Sequence, residues 1–315
     1  MKLRLSGWWT DSGPLNDRII KQFIPREERD IVEFVTDDSY DYLIVFGRLK
    51  PEIQIKDKSK VLFFSQEPLW SPNESRNPSE FANNCFISDN RVYENPDKCT
   101  EVLLPMFYAG HNETHHDENF DWSCDLRNVD LSDRKTKGVS YIVRKDYCSY
   151  WDPYVNKSVS KLIYKTRTDL GRELSEKVQD VTIWGTHWES NEKNVLGSIW
   201  NKRAALNDFR FSICAENTIQ RNYISEKFWD SVLTNTVPIY LGCSNIDDYI
   251  PSDYFVNLTS KVDDMDAMIE EIKEITNNSE ELYKKYQPRI KELKESFFTD
   301  KRFNLWLKIK DTISI

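Results

Sequence analysis

The sequence predicts an α/β protein built from Rossmann-like units, and three observations carry that prediction. Short, wholly apolar runs such as Tyr42–Phe46 (YLIVF) and Val61–Phe64 (VLFF) have the length and composition of strands buried on both faces of a parallel sheet. These runs alternate with polar and helix-forming stretches, the rhythm of parallel strands joined by crossover helices. Residues 209–257 read as one βαβ unit: an apolar strand ending in Glu216-Asn217, a polar loop, a helix opening at Ser225, and a second buried strand, Val237–Leu241.

Taken in order, residues 2–6 form a first strand, residues 15–23 have helical composition, and residues 31–34 read as a second strand. Residues 85–88 and 102–104 are further strand candidates. From about His111 to Gly138 the chain is polar with little periodicity, which places a linker at 133–138 and divides the chain into 1–135 and 136–315. Beyond it, residues 139–143 and 181–185 read as strands, 160–178 as a helix, and 191–208 as loop and helix. Residues 263–275 and 280–297 are amphipathic helices. Pro238 is tolerable at the start of its strand. Residues 302–315 are expected to form a terminal helix that packs back on the first unit.

Composition narrows the partners. A chain of 315 residues is long enough for two domains with cores of their own. Its formal charge of −9 argues against general binding to nucleic acid or anionic membranes, so an anionic ligand must meet a locally basic pocket. No apolar run is long enough for a transmembrane helix, and the N-terminal residues do not read as a signal peptide, so a soluble, cytoplasmic protein is expected. The six cysteines show no CxxC pairing and fit reduced thiols. The 10 Trp, 15 Tyr and 16 Phe serve core packing first, with sugar stacking a secondary use for a residue such as Trp70.

The chemistry-bearing residues gather where strands end and a helix begins, the place where open α/β sheets bind ligands. Tyr223, Ser225, Glu226 and Lys227 stand at such a helix N-terminus, whose free N–H groups and dipole favour phosphate. Ser225 is a good N-cap. A cation in the first turn, here Lys227, is electrostatically misplaced unless an anion joins it. Glu67 follows VLFF directly and is stiffened by Pro68, which suits a carboxylate delivered to a cleft. His111, His115 and His116 lie in a polar stretch and read as a solvated loop, and no metal site is expected.

The segments AENTIQRNYISEK, TVPIYLG and YIPSDYFVN, in this order, resemble the donor-binding motif of the α-1,3/1,4-fucosyltransferases, glycosyltransferase family 10. Ala215 stands for the usual Phe, Ile224 for Val, Ser225 for Thr, and Tyr254-Phe255 for Ser-Phe. The resemblance implies the GT-B fold, two Rossmann-like domains facing across a central cleft, with 1–135 binding the acceptor and 136–315 the nucleotide sugar. It implies inverting transfer of L-fucose from GDP-fucose to a hydroxyl of a GlcNAc- or glucose-type glycan, giving an α-1,3- or α-1,4-fucoside. Glu67 takes the place of the catalytic base, and Arg167 and Lys227 those of the pyrophosphate partners, with Lys165 or Arg172 as alternatives to Arg167. Glu226 falls at the position that accepts from the ribose hydroxyls, Glu216 and Asn217 at the EN pair, and Tyr223 beside the base or sugar. GDP-fucose enters as substrate, and no cofactor or metal is obligatory. The resemblance is to the soluble bacterial or viral members, which lack the Golgi anchor. The change at Ala215 leaves open a different nucleotide sugar, and a binding protein without catalysis is the remaining alternative.

Overall fold

A strand buried on both faces needs hydrogen-bonded neighbours on both edges, and the apolar runs find them in two parallel sheets. The computed structural model describes residues 1–7, 20–21, 23–65, 75, 77–89, 93–103, 126–145, 160–189, 192–199 and 202–314. The first sheet contains β1 (Lys2–Gly7), β2 (Glu33–Val35), β3 (Tyr42–Phe46), β4 (Val61–Phe64), β5 (Asn84–Ile87) and β6 (Thr100–Glu101). All its pairings are parallel, in the order β2-β1-β3-β4-β5-β6.

The second half supplies β7 (Lys137–Ile142), β8 (Ser160–Leu162), β9 (Val181–Trp184), β10 (Phe209–Ala215), β11 (Thr218–Gln220), β12 (Val237–Leu241) and β13 (Val256–Asn257). Five of these form a second parallel sheet in the order β13-β12-β10-β7-β9, while β8 and β11 pair antiparallel beside it. Both sheets share a doubly wound logic: the second strand lies on one side of the first and the third on the other. A crevice opens at that reversal, beyond the carboxyl ends of the strands. In the second sheet the reversal lies between β7 and β10.

The helices are α1 (Tyr164–Lys177), α2 (Arg203–Leu206), α3 (Glu226–Leu233), α4 (Met265–Asn277), α5 (Ser279–Thr299) and α6 (Leu305–Ile313). Asp264 caps α4 by accepting from Ala267 N, and Asn304 caps α6 by accepting from Trp306 N and Leu307 N. The expected terminal helix does pack back. Trp306 Nε1 donates to Glu28 Oε2 at 2.7 Å, and Lys310 Nζ reaches the same carboxylate at 2.8 Å. One apolar cluster therefore runs from Leu3, Phe46 and Phe64 of the first sheet to Trp229 of α3 and to Phe297 and Trp306 of the last two helices. Val139, Ile213, Leu241 and Ile272 belong to a second cluster around the second sheet.

The predicted strands at 42–46 and 61–64 fall on β3 and β4 without displacement. Three expectations move. The second strand starts at Glu33, because Arg26–Ile31 close a 3-10 turn first. The run expected at 102–104 pairs earlier, as Thr100–Glu101. Residues 160–162 form β8 instead of opening the helix, and β11, on the same small sheet, lies inside the stretch read as loop. The helix expected at 15–23 falls largely outside the described residues, as do Glu67, Trp70 and His111, His115 and His116. Among the described residues no helix is long and apolar enough to cross a membrane. The described Cys85, Cys99, Cys214 and Cys243 are free thiols.

Candidate active site

The site is built around a carboxylate that does not face the cavity. β10 delivers Glu216 beneath the segment leading to α3, where its side chain is fully buried. Its oxygens accept from Ser225 N at 2.7 Å and Ser225 Oγ at 2.6 Å, and Lys227 Nζ lies 3.4 Å away. Tyr240 Oη donates to the backbone oxygen of Tyr223 at 3.2 Å and accepts from Cys243 N at 2.9 Å, so β12 braces the same turn. Gly242 is required here by close packing: a Cβ would sit 2.4 Å from Glu216 Cγ and 2.6 Å from Tyr240 Oη. Glu216 and Tyr240 therefore form a hydrogen-bonded support for the N-terminus of α3, with Gly242 packed against both.

Ser225 caps that helix as its composition predicts, with extended backbone and its Oγ accepting from Lys227 N at 3.4 Å. α3 buries Phe228, Trp229, Val232 and Leu233 in the core. Its opposite face and first turn project Glu226, Lys227 and Asp230 into a cavity of about 260 Å³. The remaining wall comes from the carboxyl ends of β7 and β9, through Val143, Arg144, Gly185 and Thr186, and from Arg167 on α1 and Lys202 before α2. The cavity thus occupies the β7/β10 reversal of the second sheet.

Four cations, Arg144, Arg167, Lys202 and Lys227, line this space against two carboxylates, Glu226 and Asp230. Lys202 Nζ lies 2.6 Å from Asp230 Oδ2 and 3.7 Å from Glu226 Oε1. Lys227 Nζ is 3.2 Å from Glu226 Oε1. Burial pushes the Glu226 carboxyl up, but the Lys227 and Lys202 ammonium groups outweigh it and hold it at about 2. Burial pulls Lys227 down, and the Glu226 and Glu216 charges reverse this, leaving it above its ordinary value. Lys202 is raised in the same way against its burial, by Asp230 and then Glu226. All three groups are charged at neutral pH.

Arg167 is 9 % exposed and donates through Nη1 to Asn217 Oδ1. Its Nε is buried with no hydrogen-bond partner among the described residues. Lys165 and Arg172, the alternatives to Arg167, both pair with Asp169 on the exposed side of α1. Arg167, Glu226 and Lys227 are brought together on the cavity, and Asn217 reaches it through Arg167. Ser225 caps the helix from the side, while Glu216 and Tyr223 are buried below.

Three charged cavity residues escaped sequence reasoning: Arg144, Lys202 and Asp230. Arg144 stands two residues after β7, a strand-end position that could have revealed it. Lys202 leaves an irregular stretch with no periodic signal, and only the fold carries it to Asp230.

Two parallel doubly wound sheets, with a cation-lined crevice at the strand reversal of the second, define the GT-B class of glycosyltransferase fold. Solved structures share it. An α1,3-fucosyltransferase with GDP-fucose is similar over 91% of this chain and 81% of its own, with a TM-score of 0.53 and 17% identity. An α-glucosyltransferase in complex with UDP is similar over 99% and 100%, with a TM-score of 0.58 and 10% identity. Residues 144–304 match glycosyltransferase family 10 (fucosyltransferase), C-terminal part, and the chain belongs to that family.

Among its relatives, the α-(1,3)-fucosyltransferase FucT of Helicobacter pylori is 24% identical over an alignment 252 residues long that covers 65% of this chain and 51% of that protein. The α-(1,3)-fucosyltransferase B of Drosophila melanogaster is 28% identical over 101 residues, 31% of this chain and 22% of that protein. The chain thus spans about half the length of the first of these relatives and less of the second.

Proposed function

We propose that this protein is an inverting glycosyltransferase that moves L-fucose from GDP-fucose to a hydroxyl of a GlcNAc- or glucose-type glycan, forming an α-1,3- or α-1,4-fucoside. The observation that carries the reading is the cation-lined cavity at the α3 N-terminus, in a chain of formal charge −9 that belongs to a fucosyltransferase family. A diphosphate seated there would meet Lys227, Arg167 and Lys202 together with the free N–H groups of α3. The Arg167 guanidinium, which lines the cavity, supports the same reading as a donor for its oxygens. Glu226, acceptor-only when ionised, suits the paired hydroxyls of a ribose.

In the reaction, Glu67 takes the proton from the acceptor hydroxyl as that oxygen bonds to the anomeric carbon. The bond from that carbon to the diphosphate breaks on the opposite face, and its electron pair leaves with GDP. The β-linked donor gives an α-linked product. Charge building on the departing diphosphate is met by cations already in place, which need no reorganisation. The assignment divides the chain into an acceptor-binding unit, 1–135, and a donor-binding unit, 136–315. It is supported by one sheet built from residues 2–101 and a second from residues 137–257.

The first test is thermal stabilisation of the purified protein by GDP, GDP-fucose, GDP-mannose, and UDP- and dTDP-sugars. Stabilisation confined to the guanine nucleotides is the expected result. A response to another base, or to none, overturns the donor assignment. Glu67→Gln is expected to abolish transfer while preserving the GDP response, and undiminished turnover removes Glu67 from the role of base.

A further inference from the structure

The segment from the end of β11 to α3 is tied to the opposite sheet through Gln220, Arg221 and Asn222, and Asn222 also reaches the loop after β12. Asn222 is 1% exposed and sits in the left-handed region at φ 57. Its Nδ2 donates to Ser88 O at 2.6 Å and to Glu101 Oε1 at 2.8 Å. Its Oδ1 accepts from Tyr249 Oη at 2.6 Å and from Asn245 Nδ2 at 2.9 Å. Its backbone N–H donates to Asn245 Oδ1 at 2.8 Å. A carboxamide has two N–H donors and two lone pairs, and every one is used.

The positions of the partners give this arrangement its meaning. Ser88 directly follows β5 and Glu101 ends β6, so both lie at the carboxyl edge of the first sheet. Asn245 and Tyr249 follow β12 of the second sheet. Gln220 Nε2 to Ser88 Oγ at 3.2 Å and Arg221 Nε to Glu101 Oε1 at 2.8 Å flank the same seam. Asn222 thus joins the two carboxyl edges in the turn that runs directly into Ser225, Glu226 and Lys227. Bracing the turn alone would need only Asn245. A left-handed backbone alone would accept glycine, so the side chain is held here for the contacts that cross between the sheets.

We infer that Asn222 is a positioning residue that holds the diphosphate-binding turn in register with the strand ends of the acceptor half. This inference rests on the donor-site reading given above. The two sheets meet here through directional hydrogen bonds, and directional bonds fix relative orientation more narrowly than apolar packing does.

Amide hydrogen exchange on wild type, Asn222→Gly and Asn222→Asp, with and without GDP, tests the inference. Glycine keeps the left-handed backbone and removes only the side-chain bonds. In the unliganded Asn222→Gly protein, residues 84–89 and 100–103 are expected to exchange about tenfold faster, with residues 137–142 unchanged. Asn222→Asp sets a second carboxylate against Glu101, so the acceleration should be larger. In wild type, GDP should protect both 218–227 and 84–89. In Asn222→Gly, protection should stop at 218–227.

With GDP-fucose and N-acetyllactosamine as substrates, Asn222→Gly should lower kcat about tenfold and leave the donor KM unchanged, the mark of a lost alignment. Unchanged exchange at 84–89 and 100–103, or an acceleration that also covers 137–142, overturns the inference. If GDP protects no residue of wild type, the donor reading fails, while the unliganded exchange still decides the role of Asn222.

Discussion

Glu216 and Glu226 belong to one motif and carry the same side chain, yet the fold treats them in opposite ways. Glu216 is fully buried, with its oxygens taken by Ser225 N, Ser225 Oγ and Lys227. Glu226 stands ten residues later, beyond β11, on the cavity wall, set between Lys227 and Lys202. One carboxylate braces the turn that opens α3, and the other lines the cavity. Residue type alone does not separate structural from ligand-facing acids; the direction in which a strand or helix end aims them does.

The comparison can be broken most forcefully at Glu216. Glu216→Ala removes both carboxylate hydrogen bonds from Ser225, leaves its N–H without an acceptor and takes one of two carboxylates from Lys227, so a loss of about 3–5 kcal/mol is expected in urea denaturation. A fully stable variant that merely failed to bind GDP would place Glu216 among the ligand-facing groups instead.

Acid separates the two next. Glu226 is held at about 2 against an ordinary 4.5, so its contribution is fully present above pH 4.5 and is lost as pH falls toward 2. That contribution is on the order of 3 kcal/mol. Denaturation at about pH 6 and about pH 3 should show a steeper loss in wild type than in Glu226→Gln. Equal slopes would mean that Lys227 and Lys202 do not hold this carboxylate down.

Gly242→Ala probes the support from outside. The added methyl collides with Glu216 Cγ, and a destabilisation of about 1–3 kcal/mol is expected by thermal denaturation. A neutral result would show that Glu216 has room to move and is not a fixed brace.

The smallest effect sharpens the role of Glu226. Wild type should bind GDP about tenfold more tightly than 2′-deoxy-GDP, and Glu226→Gln should lose most of that preference, as measured by calorimetry. Undiminished discrimination in the variant would move ribose recognition to another residue.

Much of this was legible from the chain alone, and the reasons are local. YLIVF and VLFF had to be buried strands, since an unbroken apolar run has no solvent face to offer. Ser225 announced a cap, while the cation two residues later meets the chain's own Glu216 and Glu226. β8 and β11 were not legible: three-residue strands carry no periodicity, and only their pairing makes them strands. Lys202 was not legible for a related reason, because its partner Asp230 lies on a different element.

By itself, the sequence determined the longer buried strands and most of the helices, where α3 begins, and that charged groups gather at its start. Those features follow from side-chain burial and backbone capping within a few residues. Tertiary structure alone decided that Glu216 turns inward, that Lys202 joins the cavity, and that Asn222 bridges the two sheets. Each depends on groups far apart in the chain, whose meeting is set by strand order and packing and leaves no periodic mark in the sequence.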